Sequence, residues 1–206
     1  MRVTRSERGS TRTRLAIGAA VILVVAIAVA AIVASKSSSN SKTKSTTTTS
    51  APTTGKKAAA ALLDKGLAAL NSGNLGTAKD LFAQVIKADP QNKYGYYNLG
   101  LVYQTQGQNR SANVQYHVAL TIDPTYEPAL YNLGILRTAA GDTAGAIGYY
   151  QQAIASNPND ANPHFNLGLI LRKTGKVAEG NAEVQAAVTL KPSLATAAKA
   201  QGIPVK

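Results

Sequence analysis

Four prolines, Pro90, Pro124, Pro158 and Pro192, stand 34 residues apart, and glycines keep the same pitch at Gly66, Gly100, Gly134 and Gly168 and again at Gly73, Gly107, Gly141 and Gly175. A pitch of this length means that one supersecondary unit recurs, each copy burying its apolar side against the next. Arrays built in this way make contacts between neighbours and present a long continuous surface. The period therefore constrains both the architecture and the class of function, pointing to binding along a surface rather than to a catalytic pocket.

Placing Pro90 at the thirty-second position of a unit divides the chain into 59–92, 93–126, 127–160 and 161–194, with no insertion between them. In the second unit, Lys93 to Gln106 reads as one helix with Tyr96, Leu99, Gly100 and Tyr103 on its inner stripe. Asn109 to Ile122 reads as a second, with Ala112, Tyr116, Ala119 and Leu120. Gly107 between them can take the left-handed backbone that closes a helix, and a proline after the second helix cannot continue one. The glycines at the eighth place and Ala78, Ala112 and Ala146 at the twentieth are small where the two helices of a unit must cross closely.

The strings YYNLGLVYQTQG (Tyr96 to Gly107) and YNLGILRTAAG (Tyr131 to Gly141) resemble the first helix of the tetratricopeptide repeat family. The resemblance covers about four units of 34 residues. It implies an all-α fold: a right-handed α-solenoid of four antiparallel helix pairs over 58–194, closed by a short capping helix and tail at 195–206. The end units depart from the pattern, with Leu62 and Lys65 in the first and Gly180 and Val184 in the fourth, as terminal units commonly do. Ser193 to Gln201 reads as the final helix, ending at Gly202 and Pro204.

The first 57 residues differ in composition. The net charge of +12 suggests a nucleic-acid binder until it is divided. Ten Lys or Arg face only Glu7 in residues 1–58, against twelve Lys or Arg and nine Asp or Glu beyond. The basicity belongs to the flanks of an apolar run, and no basic stripe with interleaved aromatics lies on the repeats, so nucleic acid is not an expected partner.

That run, Leu15 to Ala34, is 20 residues without a charged side chain. At about 1.5 Å per residue it spans about 30 Å, the thickness of a bilayer core. Arg2, Arg5, Arg8, Arg12 and Arg14 in the basic segment 1–14 favour a cytoplasmic N-terminus and an extracytoplasmic repeat domain, so 15–34 reads as a transmembrane signal anchor in the cell membrane. Ala28-Val29-Ala30 has the small-x-small form of a cleavage site, and the alternative is a secreted protein freed by signal-peptide cleavage. Residues 35–57 are rich in Ser and Thr and too polar to fold, so they read as a disordered linker. Its 22 residues from 36 to 57 would place the domain about 25 Å from the membrane on average and about 75 Å at full reach.

In stacked helix pairs the first helices line the concave face, so residues one period apart form rows. Asn98, Asn132 and Asn166 make one row; Tyr97, Tyr131 and Phe165 lie beside it; Leu101, Ile135 and Leu169 lie a turn further on. A carboxamide offers both a donor and an acceptor and can pair with the main chain of an extended peptide whatever its sequence. The row resembles the asparagine ladder in the repeat region of the O-linked N-acetylglucosamine transferase family, with Asp64 in the corresponding place of the first unit. The other reading is that Asn and its aromatic neighbour support packing. Some relatives clamp a C-terminal carboxylate with Lys, Asn and Arg; the corresponding places here are Leu63, Leu67, Asn98, Pro128 and Asn132, so a tail clamp is not expected.

The chain has no cysteine, which excludes disulfides and thiolate chemistry. His117 and His164 lie two units apart, roughly 20 Å by helix spacing, too far to share a metal or a proton. His164 takes an aromatic packing place and His117 a helix surface. No phosphate loop, carboxylate pair or serine elbow is present, so neither catalysis nor a cofactor or metal is expected. The expected function is a membrane-anchored scaffold whose groove binds an extended peptide or helix of a partner protein through Tyr94, Tyr97, Tyr131, Phe165 and the Leu and Ile row, with the Asn row fixing the main chain. The alternatives are a membrane-tethered homo-oligomer or a non-catalytic subunit of an envelope complex.

Overall fold

A computed structural model of the chain describes residues 52–205, which fall within the second of two compact units, 49–206. The apolar run Leu15 to Ala34, the basic segment before it and most of the linker lie outside the described residues. Among those described, no helix is long and apolar enough to cross a membrane.

The described residues are helical throughout, with no strand. Four pairs follow in sequence: α1 (Pro52–Asn71) with α2 (Leu75–Ala88), α3 (Lys93–Thr105) with α4 (Asn109–Ile122), α5 (Glu127–Ala139) with α6 (Thr143–Ser156), and α7 (Ala161–Lys173) with α8 (Val177–Leu190). A 3-10 turn, Pro192–Leu194, leads into α9 (Ala195–Ala200). The two helices of each pair pack on one another, and the second helices α2, α4 and α6 pack also on the first helix of the next unit, giving a solenoid of stacked hairpins.

The two punctuation marks of the period act as the sequence predicts. Gly73, Gly107, Gly141 and Gly175 all have positive φ, between 73° and 89°. Each closes its helix with the same pair of bonds, illustrated by Gln108 N to the Tyr103 carbonyl at 2.8 Å and Gly107 N to that of Gln104 at 2.9 Å. At the other end of each unit, Asp89, Asp123, Asn157 and Lys191 are extended, with φ from −144° to −139°. The proline that follows each of them disfavours the helical conformation, so the second helix stops there.

Within a unit the crossing is set by one glycine and one large side chain. A Cβ on Gly100 would lie 2.6 Å from the Tyr116 ring, and one on Gly134 would lie 2.5 Å from that of Tyr150. Phe82 fills the same place over Gly66. These rings are essentially fully buried, each contributing roughly 2–3 kcal/mol by removal from water. The phenols find partners in the last turn of the first helix: Tyr116 donates to Gln104 Oε1 at 2.5 Å, and Tyr150 lies 3.1 Å from Thr138 Oγ1. In the first unit the ring is Phe82 and the facing residue is Leu70, so no polar group is stranded.

The fourth unit solves the crossing differently. Val184 stands where the others have an aromatic ring, and the helices close further. A Cβ on Gly180 would lie 2.6 Å from the Gly168 carbonyl oxygen, so the two departures Gly180 and Val184 compensate one another.

Both ends differ from the four-unit frame. Helix α1 begins at Pro52, inside the stretch 35–57 read as linker, and the linker boundary moves accordingly. Proline suits a first helical position, and once the Ala-rich stretch 58–61 nucleates a helix, extension backwards costs little. Gly55 then packs on α2, where a Cβ would come within 2.7 Å of the Ala88 carbonyl oxygen. At the other end α9 starts one period after α7 but runs six residues rather than thirteen. Gly202 ends it with the same left-handed closure, and buried Ile203 and Ala198 complete the last core with Phe165, Val184 and Val188.

Candidate protein-binding face

The first helices α3, α5 and α7 carry the three rows, and the structure shows how their members are used. Tyr97, Tyr131 and Phe165 are buried between units. The Asn132 amide donates from Nδ2 to the Tyr97 hydroxyl at 3.1 Å, and Asn166 Nδ2 donates to the Tyr131 hydroxyl at 3.2 Å. An asparagine of one unit thus clasps the tyrosine of the unit before. The place that a tyrosine holds for the later asparagines is Leu63 for Asn98, without a hydroxyl, and the Asn98 Nδ2 donates to the Tyr94 carbonyl of its own helix at 2.7 Å.

These bonds decide what the asparagine row can offer. Asn98 and Asn132 are 5% and 1% exposed, and their amide donors serve the protein itself. Asn132 Nδ2 also reaches the Pro128 carbonyl at 2.9 Å, while its Oδ1 is buried with no hydrogen-bond partner. Asn166 is half-buried. In the apolar row, Leu101 and Ile135 are buried and Leu169 is half-buried.

Tyr94, which stands outside the three rows, is open to solvent, at 40% exposure. Its ring meets Tyr126 edge-on at 5.7 Å, and Tyr126 meets Tyr97 likewise at 5.3 Å. The Lys93 ammonium lies 4.8 Å from the Tyr126 ring centre and 5.2 Å from that of Tyr94, while bonding Asp123. That bond, helped by the Thr125 contacts and opposed by burial, holds the Asp123 carboxyl below its ordinary range. Asp89, Asn92, Lys93, Tyr94, Ile122 and Asp123 border an open cleft of about 420 Å³ beside these rings.

One residue that sequence reading did not single out belongs to this face. Glu127, the first residue of α5, is half-buried, and its Oε1 is buried without a hydrogen-bond partner. Burial, with the Asp160 carboxylate as a second cause, pushes its pKa up to about 8. Burial also raises the Tyr97 hydroxyl well above its ordinary value, with smaller contributions from Tyr116, Tyr126 and Glu127. The only sequence signal was that Glu127 holds the place of Lys93 one period earlier, a reversal of charge.

The histidines lie apart. His117 on α4 meets Tyr149 across the unit boundary, Nε2 to hydroxyl 3.4 Å, and burial followed by Arg137 lowers its pKa. His164 on α7 bonds Glu183 at 2.7 Å and the Pro158 carbonyl at 3.2 Å. Among the described residues no three His, Cys, Asp or Glu side chains are grouped to hold a metal.

Family models for tetratricopeptide repeats match residues 63–117 and 136–175. No curated protein sequence matches the chain. Solved structures share the fold. A MamA protein is 25% identical, covering 71% of this chain and 84% of that one with a TM-score of 0.58. The Pseudomonas aeruginosa pilF protein is 23% identical over 68% of this chain and 64% of that one, with a TM-score of 0.62. The first TPR of Spaghetti (RPAP3), bound to the HSP90 peptide SRMEEVD, is 22% identical over 58% of this chain and 95% of that one, with a TM-score of 0.55.

Proposed function

We propose that this chain, a carrier of tetratricopeptide repeats, is a membrane-anchored extracytoplasmic scaffold whose first-helix face binds an extended segment or helix of a partner protein. Tetratricopeptide repeats mediate protein–protein interaction, and one structural neighbour holds a peptide. The observation that carries the reading is the preorganised face itself. Cross-unit Asn–Tyr clasps fix the first helices side by side, and the open ring of Tyr94 stands beside a cleft. A ligand can reach Tyr94, Asn166 and Leu169 directly, while Tyr97, Tyr131, Phe165, Leu101, Ile135, Asn98 and Asn132 hold the face from beneath. The role is binding rather than catalysis. The anchor is Leu15 to Ala34, and the Arg-rich residues before it keep the N-terminus cytoplasmic.

The test is affinity capture from membranes with the intact chain and with Tyr94→Ala, Leu169→Ala, after a thermal melt shows that the variant folds. The expected result is a partner retained by the intact chain and reduced about tenfold or more in the variant, as for an aromatic anchor. Equal recovery by both would move binding off this face, and recovery of the chain alone would favour the self-associating alternative. External protease on intact cells is expected to remove the repeats while sparing the N-terminus; protected repeats would overturn the proposed topology.

A further inference from the structure

We infer that the contact between His117 on α4 and Tyr149 on α6 is an acid-released latch across the boundary between the second and third units. His117 Nε2 lies 3.4 Å from the Tyr149 hydroxyl, and the two rings meet edge-on with their centres 6.2 Å apart. The Arg137 guanidinium of α5 sits 5.9 Å over the centre of the same tyrosine ring. Its Nη2 donates to Asn113 Oδ1 at 3.4 Å, one turn before His117 on α4. Asp142, which caps α6, lies 3.8 Å from Arg137 Nε. One cluster of side chains thus joins three helices and the turn between two of them.

A neutral imidazole with its proton on Nδ1 accepts the Tyr149 hydroxyl at Nε2, whereas an imidazolium has no lone pair left to do so. Protonation also brings a second positive charge to a ring that already carries Arg137. The surroundings offer that charge little relief. Helices α3, α4 and α6 contain no acidic residue, and the one on α5, Glu127, opens the helix whose last turn holds Arg137. On α4 the other charged residue is Arg110, Lys93 of α3 is bonded to Asp123, and Asp142 is beside Arg137. Burial, with Arg137 as the second cause, lowers the His117 pKa from its ordinary 6.5. The folded chain then binds fewer protons than the unfolded one, so the latch contributes fully above 6.5 and is lost as pH falls through the lowered value.

The same boundary is held between its first helices by the bond from Asn132 to Tyr97. An amide does not titrate, burial keeps the Tyr97 hydroxyl well above its ordinary value, and the neighbouring Glu127 is pushed up to about 8, so this clasp persists through the acid range. Acid therefore frees the second-helix side while the first-helix side remains as the hinge, and the two units open about it. The device belongs to this boundary alone. The corresponding places are Ala83 and Gln115 at the boundary before and Gln151 and Glu183 at the boundary after, where Glu183 is bonded to His164.

The chain has no cysteine, so spin labels introduced by Val114→Cys on α4 and Gln152→Cys on α6, both exposed positions, report the distance across the boundary in the full-length chain by double electron–electron resonance. One distance is expected at about pH 7.5 and a second, longer one at about pH 5, the range in which a histidine changes charge. The midpoint is expected below 6.5, with helix content by circular dichroism unchanged. His117→Gln, which does not titrate, is expected to give the same distances at both pH values, and Arg137→Gln to move the midpoint upward. The readout needs no partner, so it bears on the latch and leaves the peptide-binding reading untouched. Distances that ignore pH, a change that survives His117→Gln, a midpoint that Arg137→Gln leaves in place, or a loss of helix content in step with the change would each overturn the latch.

Discussion

At Glu127 a carboxyl is held half-buried with one oxygen lacking a donor, and the consequence for stability has a definite sign. Its pKa rises on folding from 4.5 to about 8, so between those values the folded chain binds more protons than the unfolded one. The contribution is complete below about pH 4.5 and is lost as pH rises through about 8. Glu127→Gln is therefore expected to raise stability at pH 8 by roughly 1–3 kcal/mol, with little change at pH 4.5, in denaturant titrations at the two pH values. An equal effect at both would mean that the carboxyl is not held in its protonated form. The asparagines illustrate what sequence reveals at this scale. Their row was legible from the period, but the direction of each amide was not. Direction depends on the residue 35 positions earlier: a hydroxyl at Tyr97 or Tyr131 captures the amide, and Leu63 leaves Asn98 to its own helix.

Helices and turns were legible because a local mechanism marks each one. Glycine supplies a left-handed residue that others reach only at a cost of about 1 kcal/mol or more, and the pre-proline residue supplies the stop. The interhelix glycines were legible as small residues, and the structure adds the ring each one faces. Gly134→Ala places a Cβ 2.5 Å from the Tyr150 ring, which is wedged between two helices and tied to Thr138. Overpacking there is expected to cost roughly 1–3 kcal/mol in chemical denaturation, and an unchanged midpoint would mean that the helix pair opens freely. The start of α1 was not legible, because Thr and Gly before the Ala-rich run read as linker. What holds that extra helix is a long-range contact, Gly55 on the Ala88 carbonyl, which leaves no local mark.

For the repeat unit as a whole, the period specifies a stack, and the stack specifies a surface. Its ends show how the array is closed: α9 is a first helix begun in register and stopped early, with Ile203 folded in where a further pair would have packed. Sequence could assign the proposed binding face to the first helices, but it could not tell which residues on that face reach solvent. Burial there is set by the neighbouring units, and it leaves Tyr94 open while Leu101 and Ile135 are covered. The central claim, that this face engages a partner, is tested most directly by a photo-crosslinking amino acid at position 94 on α3, compared with one at Val114 on α4, which is 54% exposed. The account predicts that a partner protein is trapped in membranes from position 94 and not from position 114. Trapping from 114 alone, or from neither, would contradict it.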